Sequence, residues 1–451
     1  MLRILLINPL NTGYYYRLGA IYPPLGLAYL SSVLREKGHE VRIVDMNVEK
    51  FDYKSFDYTR FDIVGISTDT TRFPLASKIA KVVREQGVPV VLGGPHASAE
   101  VSEILEKRIA DYIIVGEGEK AFLELVEAIK NGEKYPKIPG LAYLENGTVR
   151  IHPKEFIKNL DEIPFPDREN LLMDRYRTKF DGKPATSLIT SRGCPFNCEF
   201  CSASQFMGFL WRKRSVPNVL EEIKLLVKKY GYGSLIFFDD NFTLDPKRVI
   251  EISEGILKND LKISWWAFSR ADEILGHEDM VEAMAKSGCK MLFIGFESAS
   301  DETLKEFNKK LSSSIAFDVV RILKKYKIDI FASFILGALS DTRETIKKTV
   351  KFAKKLGASI VQFSILTPYP GTRLFEKLRS SLLTKDYEKY DGTNLVFKHP
   401  NFTPKELKKM FIRAYYYIYT SPRLLFKRGL PFLWKILRAK APNYNYTVFV
   451  F

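Results

Sequence analysis

Ser191-Arg192-Gly193-Cys194-Pro195-Phe196-Asn197-Cys198-Glu199-Phe200-Cys201 sets three cysteines in a C-x3-C-x2-C pattern directly after an apolar run that reads as a strand. The chain has one other cysteine, Cys289, in 451 residues, which excludes a disulfide scaffold and fits a metal site in a reducing compartment. Three thiolates on one short loop can hold three corners of a 4Fe–4S cubane and leave the fourth iron without a protein ligand. Zinc would need a fourth Cys or His at structural-site spacing. Cys289 is far downstream, and the first histidine after Cys201 is His277.

Outward from this loop, strands are expected at Ser187–Thr190, Ser234–Phe238, Ser264–Ala267, Met291–Gly295, Ile330–Leu336 and Ile360–Leu366, with helices between them. Six such units over 184–380 make a partial (β/α)6 barrel, whose active site belongs at the carboxyl ends of the strands. Upstream, residues 1–135 alternate strands (Leu2–Asn8, Glu40–Asp45, Ile63–Ser67, Pro89–Leu92, Tyr112–Val115) with amphipathic helices, the pattern of a flavodoxin-like or Rossmann-like α/β domain. Residues 136–183 form a connector with two short strands, Gly140–Leu144 and Val149–His152. Residues 381–451 are expected to be a helical tail.

The formal charge is +16, and Asn401 to Phe451 carry ten basic residues against one acid, Glu406. Basic side chains alternate there with aromatics, in Phe411–Tyr419, Pro422–Arg428 and Pro431–Arg438. A helix packed on the barrel with a solvated basic face accounts for this. So does peripheral contact with an anionic membrane; nucleic acid fits the apolar density less well. Met1–Asn8 reads as a buried strand rather than a signal peptide, and no apolar run is long enough to span a bilayer, so a cytoplasmic protein is expected.

The cysteine motif is the signature of the radical S-adenosylmethionine (SAM) superfamily, with Phe200 as the aromatic residue before the last cysteine. The resemblance implies that Cys194, Cys198 and Cys201 ligate the cluster and that its open iron chelates SAM. It implies SAM contacts from Asp239 or Asp240 in Phe238-Asp239-Asp240-Asn241-Phe242, from Arg270, from Glu297 in Gly295-Phe296-Glu297-Ser298, and from Gly337. The plainer readings are a helix cap at Asp240 or Asp245, an ion pair of Arg270 with Asp272 or Glu273, and a turn at Gly337; for one of Asp239 and Asp240 the ligand role is preferred. Thr367-Pro368-Tyr369-Pro370-Gly371-Thr372 is similar to a motif of cobalamin-associated members. Cys289 is expected in the barrel wall.

The first domain resembles the cobalamin-binding domain of such members through Pro23-Pro24-Leu25-Gly26-Leu27-Ala28, Gly65-Ile66-Ser67, Gly93-Gly94-Pro95-His96 and Gly116-Glu117-Gly118-Glu119. Ser67, Thr68, Gly93, Gly94, Gly116, Glu117, Gly118 and Glu119 would then face cobalamin. The cobalt-ligating Asp-x-His-x-x-Gly motif is absent, since His39 follows Lys37-Gly38 and His96 follows Gly94-Pro95. The family implies an external one-electron reductant, cleavage of SAM to a 5′-deoxyadenosyl radical, and methyl transfer to an unactivated carbon of a small-molecule or lipid substrate. Carbon–carbon bond formation, ring closure or rearrangement on an apolar substrate is the alternative. A non-catalytic, membrane-docked cluster protein is the alternative from another class. Methylthiolation of transfer RNA would need further cluster cysteines upstream, and none precedes Cys194.

Overall fold

The computed structural model describes residues 1–11, 13 and 21–420. The first sheet has the order β2-β1-β3-β4-β5-β6-β7, from β1 (Arg3–Asn8), β2 (Glu40–Asp45), β3 (Ile63–Ser67), β4 (Val90–Gly93), β5 (Tyr112–Ile114), β6 (Leu141–Glu145) and β7 (Thr148–Ile151). Strands β1 to β5 are parallel. On β1, Ile4 and Leu6 enter one core while Leu5 and Ile7 enter another on the opposite face. Burial on both faces explains why this strand reads as a continuous apolar run rather than an alternation. The strand order reverses between β1 and β3, and the carboxyl ends of such strands frame a ligand crevice.

The connector strands β6 and β7 do not stand apart from this sheet: they extend it antiparallel from β5. Asn146 and Gly147 close their hairpin with φ of 50° and 80°, the backbone that a two-residue type I′ turn demands. A second such turn, at Asp181 and Gly182, joins β8 (Lys179–Phe180) to β9 (Lys183–Leu188). This turn starts the first barrel strand earlier than expected and ends it at Leu188, so Thr190 lies beyond the strand.

After β9 come a short antiparallel pair, β10 (Ser191–Arg192) and β11 (Arg212–Lys213), and then β12 (Ser234–Phe237), β13 (Ser264–Ser269), β14 (Cys289–Glu297), β15 (Asp329–Leu336) and β16 (Ile360–Ile365). The six parallel strands β9 and β12 to β16 lie in sequential order, with β8 outside β9: an open half-barrel. Its outer face packs under the helices through Leu235, Phe237, Trp265, Leu292 and Phe334.

An open sheet leaves the backbone of β16 unpaired, and the helix Pro404–Tyr419 closes that edge. The Tyr415 hydroxyl accepts from Phe363 N at 3.0 Å and donates to Phe363 O at 2.9 Å. The Tyr419 hydroxyl does the same for Val361, at 3.0 and 2.8 Å. Two phenols one helical turn apart thus stand in for a neighbouring strand. Tyr415→Phe and Tyr419→Phe are each expected to cost about 1–3 kcal/mol in urea unfolding, because a buried N–H and C=O lose their partner together. A cost below ~0.5 kcal/mol for both would show that the edge needs no cap. Phe411–Tyr419 therefore packs on the barrel through its aromatic face, and Pro422–Arg438 lies outside the described residues. Among the described residues, no helix is long and apolar enough to cross a membrane.

Candidate active site

The cysteine loop leaves β9 and is tied down on every side. Asp239, one residue past the last Phe238 position of the β12 run, accepts from Thr190 N at 2.7 Å, Thr190 Oγ1 at 2.5 Å and Ser191 Oγ at 2.6 Å. Gly193 has φ 84°, and a Cβ there would lie 2.5 Å from Leu210 O, so only glycine fits. Glu199 N donates to Phe307 O at 3.1 Å, and Asn308 Nδ2 donates to Asn197 O at 2.7 Å. Phe200 packs edge-on against Phe307 at 5.1 Å. The Arg270 guanidinium lies 3.5 Å over the Phe196 ring.

Cys198 is buried, and Cys194 and Cys201 are half-buried. Burial pushes the Cys194 thiol up to about 12 and raises that of Cys198. Arg270 acts on both thiols in the opposite direction, and Lys309 does so on Cys198. Soft donors with cations at hand to balance thiolate charge fit an iron–sulfur cluster. Among the described residues, no three His, Cys, Asp or Glu side chains, the three cysteines included, lie close enough together to hold a single ion. Cys289 opens β14 at the opposite end of the barrel wall, buried, with its thiol raised by desolvation.

The strand tips around this loop divide into groups that face the opening and groups already engaged. Asp239 belongs to the second kind, since both its oxygens hold the loop. Asp240 takes only Gly193 N, at 3.1 Å; its carboxyl is open to solvent in a recess whose desolvation lifts it to about 6. Asp245, not Asp240, caps the following helix. Arg270 makes the ion pair with Asp272 that the sequence allowed, at 3.1 Å, and also donates to Lys309 O at 3.1 Å. Glu297 pairs with Lys309 at 2.7 Å and holds φ 63°, a left-handed backbone uncommon outside glycine. A Cβ on Gly295 would sit 2.2 Å from Glu297 Oε1, so that glycine makes room for the carboxylate. Gly337 serves a turn: its φ is 87°, its N–H goes to Asp341 at 2.9 Å, and a Cβ would meet Leu407 at 2.6 Å. Helix packing, rather than ligand approach, explains that glycine.

A cleft with a cavity volume of about 230 Å³, open to solvent, lies at the carboxyl ends of β1, β3, β4 and β5. Its walls come from both halves of the chain: Gly65, Ser67, Gly93, Gly94, Gly116 and Gly118 on one side, and Ile189, Arg192, Phe206 and Met207 on the other. Gly26 and Gly93 are bare backbone facing open space. A Cβ on Gly26 would meet nothing within 4 Å, and one on Gly93 only Ile114 at 4.0 Å. Such a cradle suits a large flat ligand with a tail, and it fits cobalamin. Thr68 does not take part, because its hydroxyl donates to Gly93 O at 2.9 Å and accepts from Ala97 N at 3.1 Å, fully buried. Gly94 is needed for Thr68 too, whose carbonyl would lie 2.4 Å from a Cβ there.

Glu117 and Glu119 line the cleft but spend their carboxylates on the barrel. Arg192 donates to Glu117 at 2.8 Å and to Glu119 at 2.6 Å, and Arg212 donates to Glu117 at 2.7 Å, all of them buried. Burial alone would raise the Glu117 carboxyl; the two guanidiniums outweigh it and lower it. Two cations face two anions across the domain boundary, two residues from Cys194. The sequence reading missed Arg192 and Arg212, although Arg192 stands inside the motif. His39 pairs with Glu127 at 2.6 Å; His96 is packed between Phe73, tilted against it, and Tyr387, edge-on to it, where desolvation pushes it down to about 4. Neither lines the cleft.

Comparison with known proteins agrees with this layout. The B12 binding domain family matches residues 14–126 and the Radical SAM superfamily matches residues 188–353. An uncharacterized methyltransferase of Pyrococcus horikoshii is 41% identical over 441 residues, 95% of this chain and 94% of that one. The anaerobic magnesium-protoporphyrin IX monomethyl ester cyclase of Rubrivivax gelatinosus is 30% identical over 88% of this chain and 74% of its own. The solved structure of the cobalamin-dependent SAM radical enzyme OxsB, with aqua-cobalamin and SAM bound, superposes with a TM-score of 0.77 at 20% identity, over 97% of this chain and 72% of that one.

Proposed function

Because the chain belongs to the radical SAM enzymes that carry a B12-binding domain, we propose that it transfers a methyl group from cobalamin to an unactivated carbon of a small apolar molecule, lipids included. The observation that carries this reading is the shared wall. The glycine-floored cleft is bounded by Ile189 and Arg192, which lead straight into the cysteine loop, so the two cofactor sites are neighbours. When bound, cluster and SAM supply the radical that removes hydrogen and cobalamin supplies the methyl group.

Within this reading Cys194, Cys198 and Cys201 hold the cluster. Asp240 is the free carboxylate for the SAM ammonium, since Asp239 is committed to Thr190 and Ser191. Glu297, set on its left-handed backbone beside Lys309, faces the same opening. Arg270 positions the loop through Phe196, with its guanidinium shared between Asp272 and Lys309 O. Ser67, Gly93 and the Gly116–Glu119 turn border cobalamin through backbone, and Gly26 joins them. An external one-electron donor completes the reaction.

Anaerobic purification with iron, SAM and cobalamin, followed by product analysis, tests the proposal. Methylated product with S-adenosylhomocysteine supports it. A preparation with cluster absorbance and no corrinoid bands rejects it. The 30% identity with a cyclase favours one second reading, ring closure on the same radical, for which deoxyadenosine without methylated product is the sign. The cleft has its own test. Gly93→Leu is expected to weaken corrinoid binding at least about tenfold, because its side chain would fill the cradle without touching the fold. Unchanged corrinoid absorbance in that variant would place cobalamin elsewhere.

A further inference from the structure

Inside the half-barrel, the face of the sheet turned away from the helices carries a row of aromatic rings. The parallel register places Phe268 beside Phe293, Phe293 beside Phe331, and Phe331 beside Ile360. Phe238, just past β12, continues the row, with its ring 6.0 Å from that of Phe268. The next spacings are 5.0 Å from Phe268 to Phe293 and 4.8 Å from Phe293 to Phe331. Trp266 sits one side-chain repeat below, 5.2 Å from Phe268, and Tyr22 of the first domain stands edge-on to Phe238 at 5.0 Å.

Phe238, Trp266 and Phe331 rest on a small core of Phe180, Ala185, Ile236 and Met291, and two properties distinguish the row from the outer face of the same sheet. The outward residues of the same strands, among them Phe237, Trp265, Leu292 and Phe334, are completely buried, whereas Phe238, Trp266, Phe268, Phe293 and Phe331 all remain partly open. The interior of a (β/α) barrel is ordinarily filled by its own side chains. Rings left half-covered there keep apolar area in contact with water, at about 25 cal/mol for each Å². The second property is the sorting of polarity. None of the row positions is charged. One repeat nearer the strand tips, roughly 7 Å away, the register holds Gly295, Ser333 and Gln362, and Glu297 follows at the tip. Below the row, Asp329 is engaged by Ser359. The row crosses four adjacent strands, roughly 14 Å at the usual strand spacing. That is wider than a single side chain and suited to fused or linked rings.

We propose that Phe238, Phe268, Phe293 and Phe331, with Trp266, bind the uncharged carbon skeleton of the substrate, a rigid multi-ring body, and hold it beneath the strand tips. This rests on the methyltransferase reading for its use, but the binding is separable from it. Flat or fused rings gain contact with all the aromatic faces at once while losing little conformational freedom, so a rigid skeleton is favoured over a flexible chain of equal area.

Equilibrium dialysis of the anaerobically loaded holoprotein tests this with three probes: protoporphyrin IX dimethyl ester, the pentacyclic triterpene diploptene, and hexadecane. At least one ring probe is expected to bind, and which one does identifies the source of the skeleton. Hexadecane is expected to bind at least tenfold more weakly. Phe293→Glu is expected to weaken ring-probe binding at least twentyfold, while Phe317→Glu, on the outside of the barrel, leaves it unchanged. If Phe293→Glu does not fold, Trp266→Ala in the same dialysis, expected to weaken ring-probe binding about fivefold, reads the same contact. Failure of both ring probes to bind, equal binding of hexadecane, equal binding by Phe293→Glu, or ring-probe binding unchanged in Trp266→Ala overturns the proposal. A holoprotein with corrinoid and cluster spectra that binds neither ring probe retires this substrate class alone. Ring-probe binding without corrinoid retires the methyltransferase reading and leaves the lumen site standing.

Discussion

Cys198→Ser is expected to yield folded protein that takes up corrinoid but holds no stable 4Fe–4S cluster, with SAM cleavage at background. The expectation rests on how the loop is built. Its shape is fixed by groups other than the thiols: Asp239 on Thr190 and Ser191, Asp240 on Gly193 N, Phe307 O on Glu199 N, and Arg270 over Phe196. Removing one sulfur therefore leaves the scaffold intact. A hydroxyl is a hard, poorly acidic donor and does not replace a thiolate on iron. The loss should exceed the ~10–100-fold that follows removal of an outer partner of a metal ligand. Cys289→Ser is the control. That thiol is buried at the far end of β14, where desolvation raises it, so the substitution affects stability and spares the cluster. Iron content and the reduced-cluster electron paramagnetic resonance signal measure both variants. A Cys198→Ser protein with wild-type iron and signal would remove this cysteine from the ligand set.

The contrast between these two cysteines shows which parts of the site could be read in advance. Local spacing singles out the cluster loop, because its three candidate donors lie within eight residues of chain. Hydrophobic periodicity was enough for the parallel strands of both sheets. What escaped is what depends on pairs far apart in sequence. Asp239 and Asp240 are indistinguishable as letters, and only the bonds from Thr190 and Ser191 commit the first and leave the second open. Glu117 and Glu119 stood in a glycine-rich turn that suggested a ligand. Their partners, Arg192 and Arg212, are drawn in by the short β10–β11 pair, which no periodicity announces. Thr68 was assigned by position at a strand end, and the tight approach of Gly94 turns it inward. In the helix Pro404–Tyr419, Tyr415 and Tyr419 supply hydrogen bonds that an exposed sheet edge lacks, while Ile412, Tyr416 and Tyr417 of the same helix stay exposed. The sequence signal for that role was present, as two tyrosines at i and i+4 after the last strand, but it has meaning only once the barrel is known to be open.

The same logic of distant charges makes Glu222 the costliest single carboxylate to remove. It is wholly buried, and both its oxygens are taken: Oε1 by Arg168 at 3.1 Å and Oε2 by Arg214. Arg168 comes from the connector and also donates to Ser187 O at 2.7 Å on β9, while Arg214 donates to Ile189 O at 2.8 Å at the root of the cysteine loop. Burial alone would lower the Arg214 pKa; the Glu222 carboxylate leads the groups that outweigh it and raise it. Glu222→Ala leaves two buried guanidiniums facing each other without their direct partner, Asp239 being the remaining carboxylate that acts on Arg214. Breaking such a site costs about 3–5 kcal/mol, enough to lower the melting temperature by roughly 3–5 °C in a chain of this size. Arg168→Ala should cost less, because Glu222 keeps Arg214 and the remaining pair stays neutral. The order of the two variants therefore separates charge compensation from simple loss of packing, since arginine is the larger side chain and a packing account predicts the reverse. Thermal unfolding of the protein with and without bound corrinoid measures both. If Arg168→Ala proves the more destabilising, or Glu222→Ala falls within ~1 kcal/mol of the wild type, the triad does not hold connector, barrel and cluster loop together through its charge.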